Sequence, residues 1–312
     1  MITHGNKQIS EIVYARKASE GGGAVRLTNI IRGAQVVFGG IASNVKWLNG
    51  ATKAAILAAF GQKDGNAVLG ATNAYLKALA ETNPTKATAL AVLINEDPML
   101  VCSIGLQPQG VTMPERTLNG DGYAYIDTGY KAVADTSMDI QFMWPNSISI
   151  RYCSLILCDT GGLEYGITHW NSFYWHYGGY QSFSGIAANV KFIIETRKNV
   201  LTLYRDGNIV TTSTRPERTG STTTNGTLPL YAWRRSGSVM KEYITNAKVW
   251  YLRLYENMIP VREMYPFIRN GENGMLDILS GTFYPNANTS GSFTIAYTLP
   301  DGTPWTPLNQ TT

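Results

Sequence analysis

Residues able to do chemistry are sparse in this chain, and their spacing limits what they can do. Cleavage of a glycosidic bond needs two carboxylates about 5 to 9.5 Å apart. On a strand, such a pair shows as acids at i, i+2 or i+4 on one face. Asp135 with Asp139, and Glu272 with Asp277, are the nearest candidates. Neither makes a closely spaced acidic run, and turn or rim positions are the expected use of all four. The three histidines, His4, His169 and His176, are too scattered for a Ser-His-Asp triad. Cys153 and Cys158 lack zinc-ligand spacing. Asp121, Asp127 and Asp159 fall in loop-like stretches, where solvated turn carboxylates are commoner than calcium ligands. The expectation is therefore no catalytic residue, no metal and no cofactor.

The segment from Tyr165 to Phe183 holds eight aromatics, with Gly161-Gly162 just before it and Gly178-Gly179 near its end. Exposed Trp and Tyr rings bury the apolar faces of sugars, so Trp170, Tyr174, His176 and Tyr177 are the candidate glycan-binding set. The competing use is a strand pair in which Phe173 and Trp175 point inward while Tyr174 and His176 line the other face. Core aromatics are the commoner case. On that view Ala at Trp170 or Tyr177 lowers stability more than glycan affinity.

The elements that must position these residues fall into zones along 312 residues, a length that suggests about two domains. Hydrophobic residues make up 44% and charged residues 15%, which excludes wholesale disorder. A net charge of +4 is too small for a nucleic-acid footprint. No apolar stretch is long enough to span a membrane, and Met1 to Asn6 does not read as a signal peptide. Three cysteines are too few for a disulfide framework, so synthesis in a reducing cytoplasm is expected.

Residues 1–40 carry short β-branched runs bounded by glycine and read as two or three small strands. They are too few to bury a core. Seven cations against two acids in the first sixty residues suit a solvated surface or an acidic partner. Residues 41–112 are Ala- and Leu-rich. One helix is expected from Asn44 to Phe60 with Ser43 as N-cap, and another from Asn66 to Glu81. A third follows Asn83-Pro84 and ends at Asp97-Pro98. From 113 to 299 alternation dominates. Met138, Ile140, Phe142 and Trp144 oppose Ser137, Asp139 and Gln141, and Asp206-Gly207 signals a hairpin. Trp250, Leu252 and Leu254 are expected to oppose Val249, Tyr251, Arg253 and Tyr255. Many short alternating strands describe an antiparallel sandwich. Residues 300–312, with Pro300, Pro304 and Pro307, read as an extended tail.

Several motifs in this third zone occur in a set order. They are Tyr125-Ile126-Asp127-Thr128-Gly129-Tyr130-Lys131, Leu228-Pro229-Leu230-Tyr231-Ala232-Trp233, Ala247-Lys248-Val249-Trp250-Tyr251-Leu252-Arg253-Leu254-Tyr255, Pro266-Phe267-Ile268-Arg269-Asn270-Gly271 and Ser280-Gly281-Thr282-Phe283-Tyr284-Pro285-Asn286. Together they resemble laminin-G/concanavalin-A-like lectin-type domains of phage surface proteins, over about residues 118 to 296. The resemblance implies a mainly β fold: a jelly-roll sandwich preceded by a small β arm and a helical module. Most matched residues are framework, and the resemblance brings no binding site with it.

The implied protein is a non-enzymatic virion surface fibre of a bacteriophage, a head or tail fibre. It would be a homo-oligomer, with a trimer expected, and would display the lectin-like domain toward host surface polysaccharide. Its arm would anchor it to other virion proteins through Ile9, Ile12, Tyr14, Ile30, Val36 and Phe38, because a segment too small for its own core gains order by adding strands to a partner. No nucleic acid or membrane partner is expected. The alternatives are a capsid decoration that binds no glycan, and a polysaccharide-degrading tail enzyme.

Overall fold

In a computed structural model, the chain is described over residues 47–310 except 145–152, 160–162, 171, 217–222, 225 and 241–246. Within residues 1–46 the backbone of six short strands is described: β1 (Ile2–His4), β2 (Lys7–Ile9), β3 (Ile12–Ala15), β4 (Ala24–Leu27), β5 (Ile30–Arg32) and β6 (Val36–Phe38). They form three antiparallel two-stranded hairpins rather than two or three single strands, with Ile12 opposite Leu27 and Ile30 opposite Phe38.

Three helices follow: α1 (Gly50–Phe60), α2 (Gln62–Thr82) and α3 (Pro84–Glu96). The first begins later than the sequence suggests. Asn49, not Ser43, caps it by accepting from Thr52 N at 2.8 Å. Asn95 draws the chain before α1 out of helix by donating to the Trp47 carbonyl. Ser43 and Asn44 lie outside the described residues. Helix α3 starts as read, with Asn83 accepting from Lys86 N and Pro84 in the first turn. Gly65 lets α2 approach α1 closely, since a Cβ there would sit 3.0 Å from the Leu57 Cα.

The remaining strands build two antiparallel sheets packed face to face as a jelly-roll sandwich, so the fold is mainly β. In chain order they begin with β7 (Glu115–Gly120), β8 (Ile126–Asp127), β9 (Thr136–Met143), β10 (Cys153–Asp159), β11 (Tyr165–His169), β12 (Phe173–Tyr177) and β13 (Tyr180–Phe183). Next come β14 (Lys191–Arg197), β15 (Val200–Arg205), β16 (Asn208–Thr214), β17 (Pro229–Leu230), β18 (Trp233–Arg235) and β19 (Ser238–Met240). The last are β20 (Lys248–Glu256), β21 (Ile259–Arg269), β22 (Glu272–Asp277), β23 (Thr282–Tyr284), β24 (Phe293–Thr298) and β25 (Pro304–Trp305).

The smaller sheet runs β13-β12-β11-β10-β17-β8, with β18 beside β10; this pair is parallel. The larger runs β16-β15-β14-β9-β20-β21-β22-β23, with β7 paired to β20 and β24 paired to β7. Alternation is obeyed on β9, where Met138, Ile140 and Phe142 enter the shared core with Trp144. It fails at Trp250. A bulge between Val249 and Tyr251 inserts one residue against β9. Val249 therefore joins Leu252 and Leu254 in the core, and Trp250 does not.

The helices cover the outer face of the larger sheet, so Leu90, Ile94 and Leu100 share a second core with Tyr265, Phe267 and Leu276. The C-terminal segment folds back rather than extending. Pro304–Trp305 pairs with β24 at the sheet edge, where a missing N–H is tolerated. The Trp305 ring lies 5.1 Å from Phe60 and 5.6 Å from Tyr297.

One carboxylate ties these layers together. Asp97, 6% exposed, accepts from Arg116 Nη1 of β7 at 2.6 Å, from Ile268 N of β21 at 2.9 Å and from Met99 N at 3.2 Å. Removing one member of a buried pair strands the other charge, at a cost of about 3–5 kcal/mol. Asp97→Ala is expected to lower unfolding free energy by about that much in urea melts. A loss of less than about 1 kcal/mol would class the pair with ordinary surface bridges.

Candidate functional site

The smaller sheet separates its aromatics by parity. Tyr165, Phe173, Trp175 and Tyr177 face the core, the last 2% exposed with its hydroxyl donating to the Ala134 carbonyl at 2.8 Å. Burial pushes the Tyr165 phenol up, and its hydroxyl meets Thr196 Oγ1 at 2.8 Å. Tyr177 therefore leaves the candidate glycan set for a packing reason: its ring is enclosed between the sheets.

On the outward face, pairing places His176 opposite both Gly166 and Tyr180, and Tyr174 opposite Thr168 and Ser182. Trp170 follows directly after β11. Its ring centroid lies 4.9 Å from Tyr174, 5.4 Å from Tyr180 and 6.2 Å from Trp233. Tyr174 and Tyr180 meet edge-on at 5.7 Å. Arg235 sits 5.5 Å over the Trp233 ring. Tyr180 is 58% exposed, Trp170 and Tyr174 are part-exposed, and Trp233 is buried.

His176 is 2% exposed beneath this cluster, so it supports the rings rather than offering a face of its own. Its Nε2 is 2.9 Å from Thr168 Oγ1, and its Nδ1 is 3.5 Å from Glu164. Burial holds its pKa below the usual 6.5, outweighing the pull of the Glu164 carboxylate. Gly166 is required below the cluster. Its φ is +144°, and a Cβ would lie 2.0 Å from the Ile156 carbonyl of β10.

Of the candidate set, Trp170 and Tyr174 lie side by side on this face, while Tyr180, Trp233 and Arg235 are additions. Tyr180 was accessible to sequence reasoning: it follows the Gly178-Gly179 turn at the right parity to share the Tyr174 face. Trp233 arrives through the parallel β10–β18 pairing, which no local pattern signals.

The acids are engaged elsewhere. Asp139 is ion-paired with Arg197 and accepts from Tyr255 at 2.8 Å, while Asp135 meets Lys198 at 3.1 Å. Asp277, fully buried, accepts from Glu263 N, Leu279 N and Ser280 Oγ as the organiser of a turn. Glu272 is exposed at the far end of the same strand. Asp121 closes a loop by accepting from Tyr123 N and Ser292 N. Asp127 pairs with Arg234 at 2.7 Å. The side chain of Asp159, and those of the six proposed anchor residues, lie outside the described residues. Among the described residues no group of three or more His, Cys, Asp or Glu gathers as a metal site, and no helix is long and apolar enough to cross a membrane.

No family model and no curated protein matches the chain. Among solved structures it is similar to mouse laminin alpha1 chain domains LG4-5, at 17% identity and TM-score 0.35, covering 50% of this chain and 46% of that one. It is also similar to a candidate carbohydrate-binding protein from Bacteroides ovatus, at 10% identity and TM-score 0.38, covering 60% of each. A third is the binding domain of botulinum neurotoxin DC in complex with SialylT, at 12% identity and TM-score 0.27, covering 63% of this chain and 69% of that one. The match thus spans about half of the laminin chain and less than two thirds of the Bacteroides protein.

His176 gives the sheet a pH signature. Its folded pKa is lowered, so the unfolded chain binds the proton first as pH falls through 6.5. Stability is therefore expected to decline from pH 7 downward, until the folded form also protonates. Urea melts at pH 7 and pH 5 should show that decline, and His176→Gln should reduce it.

Proposed function

We propose that this chain is a non-enzymatic binding protein whose lectin-like sandwich engages glycan on the outward face of its smaller sheet. The carrying observation is the cluster of Trp170, Tyr174 and Tyr180, three rings within 5.7 Å of one another with Tyr180 largely exposed. Such a surface buries the C–H faces of sugar rings, while Arg235 and the Tyr hydroxyls supply polar contacts at its margin. The engagement of Asp135, Asp139 and Asp277 in ion pairs or turns favours binding over hydrolysis, since glycosidases need two carboxylates poised over one bond.

We also infer a place on the surface of a phage particle, as a trimeric head or tail fibre anchored through residues 1–40. The ordered motifs between 118 and 296 support this, as do the three N-terminal hairpins. Each hairpin pairs only within itself among the described residues, with strands of three or four residues. Isolated two-stranded hairpins are marginal in water. Association with equivalent hairpins of other copies, or with another virion protein, would supply the missing strands and cover.

Retention of the full chain on an array of bacterial surface polysaccharides tests the first proposal. One glycan class should be retained, and Trp170→Ala with Tyr180→Ala should weaken it about tenfold or more, with a melting temperature close to that of the parent. A blank array from folded protein would favour a capsid decoration, and new reducing ends on incubation would favour the enzyme. Light scattering at micromolar concentration should give three chains per particle; a monomer would count against the fibre.

A further inference from the structure

The larger sheet carries a cleft on its outer face. Between α3, the turn at residues 102–105 and the outer face of the larger sheet lies a cleft of about 280 Å³. One wall is aromatic: Trp250, turned out of the core by its bulge, with Tyr251 and Tyr265, whose rings are 6.4 Å apart. The polar groups in it are dominated by donors. Arg116 Nε and Nη2, Trp250 Nε1 and Ser103 Oγ are all buried with no hydrogen-bond partner among the described residues, while Arg253 Nε faces the Glu263 carboxylate at 3.6 Å. Arg116 and Trp250 are 1% and 6% exposed, so bulk water does not readily serve them.

The geometry at Arg116 is specific. Asp97 uses only Nη1, which leaves the Nε–Nη2 edge of the guanidinium, two parallel N–H groups spaced for the two oxygens of one carboxylate. The acids lining the cleft do not supply that acceptor. Glu115 is held by Lys191 at 2.8 Å, and Glu263 by Lys86 and the Tyr265 hydroxyl, both at 3.0 Å. Arg253 donates to Tyr265 through Nη2 at 2.7 Å and keeps its charge: burial opposes ionisation, but Tyr265 and Glu263 outweigh it. Cys102 lines the cleft as an inert thiol, pushed up to about 12 by burial.

From this pattern we propose that the cleft is a binding site for a small hydroxylated carboxylate the size of one acidic sugar residue. Its carboxylate would lie on the Nε–Nη2 edge of Arg116, its ring against Trp250 and Tyr251, and its hydroxyls would accept from Arg253 and Ser103. The cleft lies on the other sheet from the aromatic cluster, so its test does not depend on the proposal made there. Free in solution or as a residue within a polymer, the ligand would present the same groups.

Calorimetric titration of the full chain with glucuronate, glucose and inorganic sulfate tests the assignment. Glucuronate should bind saturably at millimolar concentrations or below, while glucose, with the ring but no carboxylate, and sulfate, with the oxyanion but no ring, should each bind at least tenfold more weakly. Trp250→Phe keeps the ring and removes the indole N–H, and Ser103→Ala removes the hydroxyl; neither touches the Asp97–Arg116 pair. Their combination should weaken glucuronate about tenfold or more while urea melts remain cooperative. A glucuronate oligosaccharide that binds more tightly than the monomer, with the same sensitivity to Trp250→Phe, identifies a polymer as the source; no gain identifies the free acid. No saturable glucuronate binding, equal binding of glucose or sulfate, or binding unchanged in the double variant would overturn the proposal.

Discussion

The contact between the Asp97 carboxylate and the Arg116 guanidinium underlies the arrangement of everything around it. Asp97 terminates α3, caps the turn that follows and accepts from the β21 backbone, while Arg116 rises from β7. Three segments, the end of α3 with the turn that follows it, β7 and the distant β21, are thus referred to one buried ion pair. Such a pair gains little net energy over an apolar substitute, because both charges must leave water. It does fix geometry, since any sliding of the helices over the sheet would strand a charge. Apolar packing of Leu90, Ile94 and Leu100 on Tyr265, Phe267 and Leu276 supplies the adhesion, and the ion pair selects its register.

Each sheet of the sandwich has one face in the shared core and one left for another use. On the smaller sheet the outward positions of β11–β13 gather rings around Trp170. On the larger, the helices occupy the outward face over β21 and β22 and leave a gap where they meet β20. The bulge at Trp250 converts that gap into a walled cleft, because one extra residue exchanges which side chains face which layer. Two concave or aromatic surfaces with different chemistry therefore come from one alternation rule and one exception to it.

Much of this was legible in the residues alone, and the omissions have physical causes. Alternation on β9, the Asp206-Gly207 hairpin and the Asn83-Pro84 start of α3 depend on neighbours a few positions away, so local pattern is enough. The start of α1 depends on Asn95, more than forty residues on, which holds the chain before it. Trp250 obeys a pairing irregularity that only β9 can impose. Pro304 and Trp305 read as an extended arm because proline donates no backbone hydrogen bond, yet the edge of β24 accepts both. The candidate aromatic set was half visible: parity separated Trp175 from Tyr174, but the burial of His176 and Tyr177 depends on strands folded over them. The cleft needs Ser103, Arg116 and Trp250 together, and nothing in their spacing announces that meeting.

The seating of the helices on β21 and β22 bears on how the polypeptide is made. Asp97 meets the Ile268 amide 171 positions later, and Arg269 meets Glu96 across a similar gap. A ribosome delivers α1 to α3 long before it delivers the surface that completes their core, and the Trp305 clamp emerges later still. Through most of translation the part of the helical core that meets β21 and β22 has no permanent cover, so nascent chains offer a target for chaperones and for one another. The non-local pairings that seal the molecule also place it among slow-folding topologies. Yield in a foreign host would then be governed by elongation rate and temperature as much as by the stability of the finished protein.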